Sequence, residues 1–250
     1  MSSSWFSDPD ATSNWLASVD GGESYPIVPI CLAIDTSTSM VQNGALQAVN
    51  QCLPELAAFL REEPVAAEMA RIGIVTFDTT AREALAMGDL EDVAMPVLSA
   101  SGATSFAAAF REVKRFFERH LPSLGSGVPY YAPIVFFITD GLPTDPEEQW
   151  RAAADALKAP GKYRCNVVCF GFGDADAETL RKVGMTFIAR EQDPVAATKS
   201  VFRELMGSIK TTSASVRDAV ESGGSGRLEF SPDVGQVFIP YIPLDLHENR

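Results

Sequence analysis

The chain has 250 residues, 46% of them hydrophobic and 21% charged, the composition of a globular protein long enough for one large α/β domain. Its formal net charge of −13, from 33 acidic against 20 basic residues, repels phosphate backbones and anionic lipids, so no nucleic acid and no membrane is expected as a partner, whereas cations are drawn in. No apolar run approaches the ~20 residues of a membrane span, and the first residues lack the basic and apolar regions of a signal peptide.

Residues 1–25 are rich in Ser, Asp and Gly and carry Trp5 and Trp15; they read as a flexible N-terminal extension. A domain is expected over 26–210. Val28 to Ile34 (VPICLAI) is nearly all apolar, too short for a helix and bounded by Asp, which predicts a strand buried on both faces. Ala45 to Leu60 carries a helical stripe of Leu46, Val49, Leu53, Leu56, Phe59 and Leu60, with Pro54 predicting a kink or break. Ile72 to Phe77 is the second strand, and the more polar Ala81 to Met87 a third, at an edge. Phe106 to Leu121 repeats apolar residues at Phe110, Val113, Phe116 and Phe117 as a helix does.

Pro133 to Thr139 (PIVFFIT) is the strongest central-strand signal. Pro146 to Leu157 follows as a helix, with Asp145 expected as its N-cap and Pro146 at its first position. Asn166 to Phe172 is a strand, Ala177 to Lys182 a short helix and Thr186 to Ile188 a last short strand. Val195 to Ile209 closes the domain as a helix. Residues 211–250 read as a tail: Thr211 to Ser215 and Ser222 to Gly226 look flexible, and Phe230 with Val237 to Ile239 is compatible with a small hairpin around Asp233 to Gly235. Strands spaced by helices imply an α/β, doubly wound, mostly parallel six-stranded sheet with one short antiparallel edge strand and helices on both faces, a Rossmann-like arrangement.

Cys31, Cys52, Cys165 and Cys169 fall in apolar strand-like or helical stretches. Cys165 and Cys169 lie about 13 Å apart along an extended strand, too far for shared zinc ligation. Reduced core thiols are expected, and with them a cytoplasmic location.

In doubly wound sheets ligands bind beyond the carboxyl ends of the strands. There, after the first strand, stands Asp35-Thr36-Ser37-Thr38-Ser39. Asp140-Gly141 follows the PIVFFIT strand, and Gly102-Ala103-Thr104-Ser105 precedes the helix at Phe106. Alternate residues of an extended segment point the same way, so Asp35, Ser37 and Ser39 can converge. All the donors are oxygens and two are anionic, which suits Mg²⁺ or Mn²⁺ rather than Zn²⁺.

Asp-x-Ser-x-Ser, then a Thr in a Gly-x-Thr loop, then Thr-Asp-Gly after an apolar strand resembles the metal-ion-dependent adhesion site of von Willebrand factor A (VWA) domains. The likeness covers residues 27–210, with Ala103 where the family's second glycine is expected. It implies a VWA fold in which Ser37 and Ser39 ligate the metal directly. Asp35 and Asp140 would ligate directly or through water, and Thr104 once a partner is bound. Within the family, the Asp-Thr-Ser-x-Ser-Met start and Pro143-Thr144-Asp145 resemble bacterial intracellular proteins of the tellurite-resistance and stress type, although the cysteine-rich metal ribbon of some relatives is missing. Met40, Ser105, Phe106 and Gly141 flank the ligands as an expected partner-binding rim, with core packing an equal reading for Met40 and Phe106.

The resemblance implies a non-catalytic module whose metal captures a Glu or Asp from another protein. Two competitors stand beside it. A phosphatase with an aspartyl nucleophile needs a carboxylate two residues after Asp35, where this chain has Ser37, and no lysine is obviously placed for phosphate. Serine hydrolysis lacks a Gly-x-Ser-x-Gly elbow. A VWA subunit of an ATPase or metal-insertion complex is the other; with no P-loop here, its ATPase would be a separate chain.

Overall fold

Strand β1 (Val28–Asp35) is buried along its whole length. Its Ile30, Leu32 and Ile34 enter one core and Cys31 and Ala33 the other, the two-residue period of a strand covered on both faces. The partner strand β4 (Ile134–Thr139) divides alike: Phe136 and Ile138 join the first core, Val135 and Phe137 the second. The computed structural model describes residues 25–90, 93–124, 128–222, 228–230 and 234–241. The segment with Trp5 and Trp15, the glycine run at 223–226 and Asp233 lie outside the described residues.

The remaining strands are β2 (Ala70–Phe77), β3 (Ala81–Gly88), β5 (Asn166–Gly171), β6 (Met185–Ala189) and β7 (Phe238–Tyr241). They form one sheet in the order β3-β2-β1-β4-β5-β6-β7. The five central strands are parallel; β3 and β7 run antiparallel at the two edges. The six strands expected from the sequence are thus present in a mostly parallel, doubly wound sheet, with β3 as the antiparallel edge. The seventh comes from the tail. In place of a hairpin there, a helical turn, Val234–Val237, leads into β7, which pairs with β6 and brings Phe238 into the core 5.3 Å from the ring of Phe170. An apolar segment that covers an open sheet edge hides its unpaired N–H and C=O groups.

In chain order the helices are α1 (Thr38–Gln42), α2 (Ala45–Glu62), α3 (Pro64–Met69), α4 (Phe106–His120), α5 (Glu147–Lys158), α6 (Ala177–Val183), α7 (Pro194–Ser222) and α8 (Val234–Val237). Buried residues of α2 and α7 line the first core, and those of α4, α5 and α6 the second. Helix α2 runs through Pro54 without a break: the proline faces solvent, and the single bond it removes is outweighed by the buried stripe on the opposite face.

Helix α7 passes the expected end at Ile209 and continues to Ser222. Thr211 Oγ1 bonds back to the Gly207 carbonyl at 2.9 Å, so hydroxyls that read as loop-forming serve the helix. Buried Ile209, Thr212, Val216 and Ala219 carry its stripe onward. All four cysteines are free and buried. No helix among the described residues is long and apolar enough to cross a membrane.

From β1 the sheet grows outward through β2 to β3, and from β4 the other way through β5 to β6. The strand order reverses between β1 and β4, and the crevice of such a fold opens beyond their carboxyl ends. Asp35 is the last residue of β1, and Asp140 follows the last residue of β4.

Candidate metal centre

Asp35 is fully buried. Its Oδ1 accepts the Ser37 N–H at 2.8 Å and its Oδ2 accepts the Thr139 hydroxyl at 2.6 Å. The first bond bends the chain back on itself in an Asx-type turn, and the turn delivers the two serines: Ser37 Oγ and Ser39 Oγ are 3.0 Å apart. Ser39 Oγ in turn donates to Asp140 Oδ1 at 2.8 Å. Thr104 is buried, and its Oγ1 would stand 3.9 Å from a Cβ added at Gly141. Asp35, Ser37, Ser39 and Asp140 are therefore hydrogen-bonded in series across the β1 and β4 loops, Asp35 through the Ser37 N–H and the others oxygen to oxygen, with the Thr104 hydroxyl beside Gly141.

The expected rim separates into two parts. Met40 and Phe106 are wholly enclosed, which corrects their assignment to a rim: neither side chain reaches a surface that a partner could meet. Phe106 packs edge-on against Phe137 with centroids 4.8 Å apart, and Phe137 stacks on Phe77 at 4.8 Å. These rings are the floor on which α4 begins, and so they set the height of the Thr104 loop. Ser105 and Gly141 are half-buried, with Ser105 Oγ capping α4 through the Ala108 N–H at 3.1 Å. Val41 and Leu142, which follow Met40 and Gly141 in the chain, are instead exposed large apolar side chains.

Burial pushes the Asp35 carboxyl up to about 6, against the hydrogen bonds from Thr139 and Ser37 and with help from the charge of Asp140. Burial also raises Asp140, opposed by bonds from Ser39 and Asn43. Neither carboxylate belongs to any ion pair among the described residues. Two buried anions without a counter-charge are costly and fit a cation site. Among the described residues no three His, Cys, Asp or Glu side chains gather in a metal-holding group, so a metal here draws on hydroxyls, and that donor set suits a hard divalent ion.

Several residues that fix this geometry escaped the sequence reading. Asn43 Nδ2 donates to Asp140 Oδ2 at 2.6 Å while its Oδ1 accepts the Ala45 N–H at 3.0 Å at the start of α2. Asp78, just past β2, accepts from Thr80 and from Ser101 Oγ, and so ties the β2–β3 turn to the Thr104 loop. Asn50 of α2 bonds both the N–H and the carbonyl of Leu98. Thr38 donates to the Gly102 carbonyl through both N–H and hydroxyl. Gly102 has φ +66°, and a Cβ there would meet Thr79 Oγ1 at 2.3 Å. Apart from the local bonds to Ala45 and Thr80, these partners lie 23 to 97 positions apart in the chain, and no local pattern announces them. In contrast, Asp176 caps α6 through the Thr179 N–H at 2.8 Å, the turn-and-cap role its Gly-rich loop suggests.

A family model, von Willebrand factor type A domain, matches residues 30–202. No curated protein matches the chain. Among solved structures it is similar to a von Willebrand factor type A protein from Catenulispora acidiphila, with 17% identity, a TM-score of 0.55, and 74% of this chain and 43% of that one covered. The pilus adhesin SpaC from Lactobacillus rhamnosus GG gives 13% identity and a TM-score of 0.57, over 74% of this chain and 31% of the adhesin. Proximal thread matrix protein 1 from the mussel byssus, with a zinc-occupied MIDAS motif, gives 18% and 0.54, over 76% and 49%. The chain spans less than half the length of each of the three.

Proposed function

The chain belongs to the von Willebrand factor type A domain family, and from that premise we propose that it is a non-catalytic binding module whose Mg²⁺ or Mn²⁺ captures an acidic side chain of another protein. The observation that carries this reading is the pair of buried carboxylates, Asp35 and Asp140, joined through Ser37 and Ser39 and lacking any basic partner among the described residues. Ser37, Ser39, Asp35, Asp140 and Thr104 would hold the ion, which would act as a Lewis acid toward an incoming carboxylate. With only two carboxylates among these ligands, the ion would keep a water-filled or open position for a Glu or Asp to fill. Val41 and Leu142 would supply apolar contact around that bond.

The setting we favour is cytoplasmic, in keeping with four buried free thiols. The Asp-Thr-Ser-x-Ser-Met start and Pro143-Thr144-Asp145 support a bacterial stress or signalling system of the tellurite-resistance type. A phosphatase is disfavoured by Ser37, which occupies the place of its general acid.

Calorimetric titration with Mg²⁺, Mn²⁺ and Zn²⁺ tests the reading, on wild type and on Asp140→Ala, with a generic phosphatase assay alongside. Zn²⁺ is included because the mussel protein carries zinc. Mg²⁺ or Mn²⁺ binding with a Kd on the order of 10⁻⁴–10⁻³ M, lost in the variant and without turnover, is expected. Absence of binding in the wild type, or metal-dependent turnover, would overturn it.

A further inference from the structure

The segment Pro143-Thr144-Asp145 invites a local reading as the start of α5, and Asp145 was expected to cap that helix. It does not. The N-cap of α5 is Pro146, with no side-chain cap bond. The Asp145 carboxylate reaches the other way: its Oδ2 accepts the Ala107 N–H at 2.6 Å, in the first turn of α4. Its Oδ1 is buried without a hydrogen-bond partner. Thr144 points the same way, donating both its N–H, at 2.8 Å, and its hydroxyl, at 3.0 Å, to the backbone carbonyl of Thr104.

Three hydrogen bonds from two consecutive residues thus grip the backbone on either side of Ser105, and one of the gripped residues is Thr104 itself. Thr144 stands four positions after Asp140 on a single loop, so the oxygens of Asp140 and Thr104 are tied through a short, closed path. The acceptor at Ala107 is an anion at a helix N-terminus, where an otherwise orphaned N–H and the helix dipole both favour it.

We propose that Thr144 and Asp145 are positioning residues for the metal centre, fixing the Thr104 hydroxyl at the distance from Asp140 that ligation needs. The role rests on the metal-binding function proposed above. A hard divalent ion tolerates little error in where its oxygens stand, and a ligand held about 1 Å off contributes little. Residues supporting a ligand from behind typically govern about 10–100-fold in metal affinity. The pair acts through the Thr104 loop, since among the described residues their side-chain hydrogen bonds run to Thr104 and Ala107 and not to Asp35, Ser37, Ser39 or Asp140.

A double-mutant cycle separates this from general support of the fold. Mn²⁺ affinity is measured by calorimetry on the full chain, with acetate present as the carboxylate that completes the site. Asp145→Ala and Thr144→Val are expected to weaken binding about tenfold, while Asp145→Asn, which keeps an acceptor for Ala107, retains most of it. Thr104→Ala should lose a similar factor, and Thr104→Ala with Asp145→Ala should bind no more weakly than Thr104→Ala alone. Thermal melts identify any variant that fails to fold; should Asp145→Ala do so, Thr144→Val in the same cycle decides the matter. Wild-type affinity in the folded Asp145→Ala and Thr144→Val proteins, wild-type affinity in Thr104→Ala, or losses that add in the double variant would each overturn the positioning role. A wild type that binds no Mn²⁺ would instead remove the metal-binding function itself, and the positioning role with it.

Discussion

Asp35 and Asp78 stand at the carboxyl ends of neighbouring parallel strands, one ending β1 and the other following β2, and both are buried. Their electrostatics nonetheless run in opposite directions. Burial acts to raise both. At Asp78 the bonds from Thr80 and Ser101, aided by the charge of Arg82, outweigh it and hold the carboxyl below the usual range. At Asp35 the bonds from Thr139 and Ser37 do not suffice, and the nearby charge of Asp140 adds to the cost. The difference separates a carboxylate whose hydrogen bonds outweigh its burial from one whose bonds do not. Asp78 closes a network that binds two loops together. Asp35 and Asp140 leave a negative charge unbalanced at the switch point of the sheet.

Substitution should break this comparison in opposite ways. Asp140→Ala is expected to lower Mn²⁺ affinity by at least about 100-fold, the upper end of what losing even a supporting residue costs. In metal-free buffer the same variant should be no less stable than wild type in urea, because it removes a buried charge with no counter-ion. Asp78→Ala should do the reverse in stability, costing about 2–3 kcal/mol in the same urea experiment, since the Thr80 N–H and the Ser101 hydroxyl lose a charged acceptor.

Gly102→Ala sharpens the contrast one step further along the Asp78 network. The added Cβ meets a positive φ and the Thr79 hydroxyl, and a loss of about 2 kcal/mol is expected from urea denaturation, within the range for strained backbone positions.

The smallest effect is in pH. Asp35 is raised to about 6 in the folded protein from an ordinary 3.8, so the metal-free fold holds that proton more tightly than the unfolded chain. Protonation therefore favours the fold fully below about pH 4, and this contribution is lost as pH rises through about 6. Metal-free protein should accordingly gain stability from Asp35 between pH 7 and pH 5, while Mn²⁺ affinity falls about tenfold per unit below pH 6 as the proton competes for the ligand. Asp78 has the opposite sign: its contribution is present above the usual carboxylate range and fades as pH falls through its lowered value. Melts of Asp78→Ala should therefore lose a slope only below about pH 4 and leave the gain between pH 7 and pH 5 unchanged.

What could be read from the sequence follows the same division. The buried strands β1 and β4 are uninterrupted apolar runs, and the residues after them carry Asp-Thr-Ser-Thr-Ser and Asp-Gly in plain order, so Asp35, Ser37, Ser39 and Asp140 were legible as one group. Asn43, Asn50, Asp78, Thr144 and Asp145 were not. Each is a residue type with a ready local role in a turn or cap, and each also acts across 23 or more positions. Met40 and Phe106 illustrate a further limit: adjacency to a candidate site residue in sequence says nothing of which way a side chain turns, and both turn into the core. Composition misled at the far end of α7, where Thr211 to Ser215 looks like a linker until the buried stripe through Thr212, Val216 and Ala219 is set on a helix.

The most direct measurement is the anomalous scattering of Mn²⁺ soaked into crystals of the protein. One peak is expected, bounded by Ser37 Oγ, Ser39 Oγ and the Asp140 carboxylate, with Asp35 behind it. A structure at saturating Mn²⁺ with no peak at that position, or with its only peak elsewhere on the acidic surface, would contradict the assignment of these loops as a metal centre.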